Sequence, residues 1–277
     1  MKEIFEADQH GGTARTERTR YLGAVGALAI AEPVAEAYRK IALTEPLQKN
    51  LKFKKAKMEE ALKAYALASD FGVADVSTAA TFRIASIYRE FGKALMASER
   101  PKKLNKVERE QYNVLLEEQA FPFEEKAIEV HTINAQRSAT GIYDKWVKNS
   151  FEALRELQPV RYGKIERTEV STEPSSPNIK LAAEQNQLGI SLRQAGKFEQ
   201  ARLAYENAIK VDANYTPALL NLGILHDMYL NDGKHALEFY TRYLTLKPAG
   251  DPEINKWIAE LKTRKPNPAP EQQKDKS

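Results

Sequence analysis

Two glycines, Gly189 and Gly223, stand 34 residues apart, each directly preceded by a leucine (Leu188 and Leu222), and this spacing constrains the chain more than any other feature. Behind each glycine lies a second run with a recurring size pattern: Ala201, Tyr205 and Ala208 in the first unit, Ala236, Tyr240 and Tyr243 in the second. A pattern repeated at this period describes a pair of helices stacked on its neighbour. Small residues at the crossing let two antiparallel helices approach closely, and the tyrosine fills the wedge toward the next unit. Gly196 supplies the permissive backbone of the turn between helices, and Pro248 ends the second unit because it cannot continue a helix. The second unit carries one extra residue in its turn, around Asn231, Asp232 and Gly233, a length change that a surface loop tolerates.

Residues 251–264 open on an aspartate followed by proline, then place Ile254, Trp257, Ile258 and Leu261 on one stripe. That order predicts an N-capped amphipathic helix closing the end of the array, with Trp257 in its covered face. Over residues 182–250 the chain resembles the tetratricopeptide repeat family. It departs from that family's usual pattern at Gln185 and Leu219, where a bulky aromatic is common, and at Leu192 and His226, where a tyrosine is common. The resemblance implies a concave groove lined by the first helix of each unit, which here presents Asn186, Ile190, Arg193, Gln194, Leu220, Asn221, Ile224, Asp227 and Met228 to a protein or peptide partner. The subclass that clamps a C-terminal carboxylate needs several Lys, Arg and Asn together; only Asn221 matches, so a chaperone clamp is not expected.

Upstream, apolar residues recur at intervals of three and four, Pro and Gly are sparse, and no strand pattern is visible, so the chain reads as all-α: a helical-hairpin solenoid behind a larger N-terminal helical region. Helices are expected over 15–42, 48–70, 76–98, 105–119 and 122–158. Pro46 and Pro122 suit first-turn positions, Pro101 follows a helix end, and Pro33 should kink or split the first helix. Ala61, Tyr65 and Ala68, and Ile84, Ala85, Tyr88 and Gly92, echo the repeat spacing, as degenerate repeats or as any buried helix pair would. Residues 163–177, GKIERTEVSTEPSSP, lack periodicity and read as a solvated linker between a domain at 1–162 and the repeats at 178–264. The last stretch, 265–277, is too poor in apolar groups to order itself. Two units plus a closing helix are few for a repeat array, so the repeats are expected to dock on the preceding helices or on another subunit.

A second resemblance rests on the runs RTRYLGAVGALAIAEP, STAATFRIASIYREF, ASERP, EEQAFPFEEKAIEVH and LQPVRYGKIE. These are similar to the C-terminal region of long envelope-associated repeat proteins of Gram-negative bacteria, which work with Tol/Exb-like energy-transducing systems and gliding-motility machinery. The resemblance implies contact with such a complex and a periplasmic setting if the chain is part of a longer exported protein; otherwise a cytoplasmic adaptor is expected. The start lacks a signal-peptide pattern, and the longest apolar run, Leu22 to Ala31, is far shorter than the roughly 20 residues of a membrane span.

Electrostatics and chemistry add little. A net charge of +4 from 42 basic and 38 acidic residues sets up no strong field toward nucleic acid or anionic lipid. The absence of cysteine excludes disulfides, thiolate metal sites and a thiol nucleophile. His131 lies near Glu124, Glu125 and Glu129, but a di-iron helix needs Glu three residues before the His, and Ile128 stands there. His226 reads as a packed core residue, His235 as a helix start and His10 as part of a mobile end. Gly23 and Gly26 suit close helix packing, since no preceding strand or following Lys-Ser or Lys-Thr pair makes a phosphate loop. The basic run LKFKKAK at 51–57 reads as a solvated helix face. No catalytic residue, metal or cofactor is expected. The leading function is a non-catalytic protein–protein interaction scaffold; the alternatives are a catalytic N-terminal half with substrate-recruiting repeats, and a lipid or nucleic-acid adaptor using LKFKKAK.

Overall fold

The computed structural model describes residues 1–168 and 176–264. Among these the chain is helical throughout, with no strand. In order the helices are α1 (Lys2–Gln9), α2 (Glu17–Arg39), α3 (Leu47–Ser69), α4 (Ala74–Met96), α5 (Lys106–Gln136), α6 (Lys145–Leu157), α7 (Pro159–Tyr162), α8 (Pro177–Gln194), α9 (Phe198–Val211), α10 (Thr216–Ile224), α11 (Gly233–Thr245) and α12 (Pro252–Thr263). No helix among the described residues is long and apolar enough to cross a membrane. The chain forms two compact units, Met1–Asn134 and Ala135–Ser277. The division therefore falls near the end of α5 and not in the expected linker.

In the first unit α1 to α4 pack each on the next. The core is built from Ala24, Ala27, Ala31 and Tyr38 of α2, Met58, Ala61, Tyr65 and Ala68 of α3, and Ala80, Ile87, Phe91 and Leu95 of α4. The alanines keep the helix axes close, and the long aromatics fill what remains. Thr16 and Thr19 cap α2 reciprocally, and Asn105 and Glu108 do the same before α5. The expected helices over 15–42, 48–70 and 76–98 appear within three residues at each end.

Elsewhere the local rules were overridden. Pro33 sits inside α2 and Pro122 inside α5, neither splitting its helix. Pro122 and the residue four before it, Glu118, are both solvent-exposed, so water reaches the carbonyl that the missing N–H leaves open. The expected helix over 122–158 is instead interrupted at Gly141, whose φ of 83° ends the turn after α5. His10 lies at the end of an ordered helix, α1, which the sequence reading missed. A Cβ on Gly23 would stand 2.8 Å from the Asp8 side chain and one on Gly26 3.4 Å from Phe5, so α1 approaches α2 over both glycines. Within LKFKKAK, Lys54 is buried, and its ammonium donates to the carbonyls of Ile41 (2.8 Å) and Tyr38 (3.3 Å) at the C-terminus of α2.

In the second unit α8 packs on α9, α9 on α10, α10 on α11 and α11 on α12. The two periodic glycines do what their spacing requires: a Cβ at Gly189 would stand 2.3 Å from the Tyr205 ring, and one at Gly223 2.4 Å from the Tyr240 ring. Each tyrosine thus lies on the glycine of its own helix pair, where a wedge toward the next unit was expected. Asp251 caps α12, and Trp257 packs on Tyr240 with ring centroids 5.8 Å apart, as the closing-helix reading requires. The expected start of this domain at 178 lies too late. Tyr143 and Phe151 form an aromatic cluster with Phe198 and Tyr229, and α7 packs on α12. The expected docking of the repeats on preceding helices is thus met by α6 and α7. The tail expected to be disordered, 265–277, lies outside the described residues.

His131 is buried against Phe82, and burial, aided by Arg89, pushes its imidazole down to about 4. The unfolded chain takes up this proton near pH 6.5 and the folded chain resists it, so stability is full above that value and falls as pH drops toward 4. Denaturant titrations from pH 7 to pH 4 are expected to show a loss of about 3 kcal/mol from this residue, and His131→Leu is expected to remove that part of the acid sensitivity.

Candidate functional site

An asparagine in the middle of a buried helix face must find partners for both ends of its amide. Asn186 of α8 and Asn221 of α10 are both fully buried, and the Asn221 Nδ2 donates to Asn186 Oδ1 at 2.9 Å. Their remaining groups turn to the main chain of residue 167. The Arg167 N–H donates to Asn221 Oδ1 at 2.8 Å, and its carbonyl accepts from Asn221 Nδ2 at 2.9 Å and Asn186 Nδ2 at 3.2 Å. The first half of the expected linker therefore lies along α8 and α10, held by its backbone.

Its side chains alternate as extended chain does. Lys164 and Glu166 point inward, while Ile165 between them is 76% exposed. Lys164, with no exposed side-chain surface, pairs with Asp227 and lies 3.7 Å from Glu260. Asp227 also accepts from Tyr240 Oη (3.2 Å) and pairs with Arg264 (2.7 Å). Burial opposes charge on this carboxyl, but Lys164 and Arg264 outweigh burial and hold it below its ordinary value. Glu166 takes two N–H groups from Arg193 and the Tyr205 hydroxyl. The Arg167 guanidinium reaches Tyr243, Asp251 and Glu253 at 2.8 to 3.0 Å.

Of the expected groove residues, Asn186, Arg193, Asn221 and Asp227 come together on this segment. Ile190, Leu220, Ile224 and Met228 are buried, and Gln194 is exposed at the end of α8. Lys164, Glu166, Arg167 and Arg264 were not foreseen from the sequence, and Tyr205 and Tyr240, read there as packing residues, also bind Glu166 and Asp227 through their hydroxyls. The available signal was the set of polar residues, Asn186, Asn221 and Asp227, on faces that must be covered. Asp227 itself is presented by a π-helical turn, Leu225–Tyr229, which follows α10 without a break.

Within the chain, two side-chain amides thus hold the main chain of residue 167, and three charged clusters hold Lys164, Glu166 and Arg167. In the first unit, a cavity of about 510 Å³ is lined by Arg89, Lys93, Glu117, Phe121 and Glu124, none of which the sequence singled out except Glu124.

Removing one partner of a buried ion pair strands the other. Lys164→Met is therefore expected to lower the unfolding free energy of the second unit by about 3–5 kcal/mol, against under about 1 kcal/mol for Lys57→Met, whose exposed pair with Glu60 is solvated; urea titration measures both. No protein-family model, no curated protein and no solved structure matches this chain.

Proposed function

We propose that the chain is a non-catalytic protein–protein interaction scaffold of the tetratricopeptide type, working in a bacterial cell-envelope assembly. The observation that supports the binding role is the α8–α10 face, where paired buried amides hold an extended segment by its main chain. Such a face suits peptide from any source that matches its charges, and the chain's own Lys164–Arg167 stretch gives the pattern to be matched. A partner segment takes the place of these residues on Asn186, Arg193, Asn221 and Asp227. The 34-residue recurrence of glycine under tyrosine supports the family assignment, and the runs shared with long envelope repeat proteins support the setting.

A photo-crosslinking residue at Gln194, exposed beside Arg193, tests this in native cells, with Lys210 on α9 as the control position. The expected result is a discrete adduct from position 194, absent from position 210, that fractionates with the envelope. No adduct, or the same adducts from both positions, contradicts the binding role. A specific adduct confined to the cytoplasm contradicts the envelope setting alone.

A further inference from the structure

The turn between α10 and α11 gathers two imidazoles on one carboxylate oxygen. His235 Nδ1 lies 2.6 Å from Asp232 Oδ2, and His226 Nδ1 lies 3.3 Å from the same atom. The two rings are 5.3 Å apart, and their donor atoms and the carboxylate oxygen all fall within 4.8 Å of one another. Nothing in the helix-pair architecture asks for this. Capping α11 uses the other oxygen, Asp232 Oδ1, which accepts the His235 N–H at 3.2 Å. Asp232 Oδ2 and both rings are surplus to that task.

The backbone is arranged to bring them together. His226 sits on the π-helical turn, and the Asp232 N–H returns to the His226 carbonyl at 2.8 Å, a path that requires Asn231 at a φ of 53°. Phe239 packs against the His226 ring, with centroids 5.5 Å apart, and limits its rotation. His226 is buried and His235 exposed, so the cluster has a fixed inner wall and an open outer side.

We propose that His226, Asp232 and His235 form a binding site for a divalent transition metal of the zinc class. Two imidazole nitrogens and one carboxylate oxygen are a donor set that suits Zn²⁺. Bonds of about 2.0–2.2 Å to a tetrahedral ion separate its ligand atoms by roughly 3.3–3.5 Å. The His226 to Asp232 distance already meets this, and the exposed His235 side chain has room to swing out by the remainder. Arg202, a cation that acts on His226, is paired with Glu199 and Glu206, which blunts its repulsion of a bound ion. Three protein ligands leave the solvent-facing position to water or to a donor from a partner. Bound metal closes a ten-residue loop and so fixes the π-turn that carries Asp227.

The test is calorimetric titration of Zn²⁺ into the full chain, prepared without a polyhistidine tag, with Co²⁺ absorption as a second readout. One saturable site per chain is expected, with the intense visible band of tetrahedral Co²⁺. His235→Ala, an exposed change that the helix tolerates, is expected to weaken Zn²⁺ binding at least about tenfold, the loss that even an outer-shell partner causes, and to abolish the Co²⁺ band. His10→Ala is expected to leave both unchanged. Absence of saturable binding, or binding that His235→Ala leaves intact, overturns the proposal.

Discussion

Burying the side chains of Asn186 on α8, Asn221 on α10 and Asp227 on the π-helical turn creates polar groups that must be answered from outside the helices that carry them. An unanswered amide or carboxylate at such a position costs more than a hydrogen bond contributes. The answer comes from Lys164, Arg264 and the main chain of Arg167, and much of the second unit follows from that demand. It explains why residues 164–167, with the composition of a linker, lie along α8 and α10, why Arg264 folds back from the end of α12 toward Asp227, and why Tyr205 and Tyr240 turn their hydroxyls inward to Glu166 and Asp227 while their rings cover glycine.

The same demand ties the closing helix to the site. Asp251 caps α12 through Oδ1, and its Oδ2 binds Arg167. Trp257 covers Tyr240 and lies 5.7 Å beneath the Lys164 ammonium. A helix that the sequence casts as a lid over apolar surface therefore also fixes charges beside residues 164–167. Helix capping and the hold on Arg167 are carried by the same residue, Asp251.

What was legible in the sequence was local or periodic. Gly189 and Gly223 announced their tyrosines, Asp251 and Pro252 announced α12, and the first-helix positions announced Asn186 and Asn221. What was not legible depended on partners far along the chain. Lys164 finds Asp227 and Arg167 finds Asn221 across more than fifty residues, so in isolation GKIERTE is merely polar. Lys54 looked solvated because the carbonyls it caps belong to another helix. Pro122 was read as a helix start, yet it lies inside α5 on a solvent-exposed stretch, where water can reach what its missing N–H leaves open. The helix α1 has no side-chain cap and rests on contacts with Gly23 and on the Asp8–Arg15 pair, none of which a local pattern encodes.

Residues 164–167 are held on the α8–α10 face by their main chain, and the amide proton of Arg167, which donates to Asn221 Oδ1, reports on that hold. Native-state hydrogen exchange at that single N–H is expected to be as slow as at the core amides of α10, because it opens only when Asn221 is exposed. Exchange at the rate of an unstructured chain, with α10 still protected, would contradict the account.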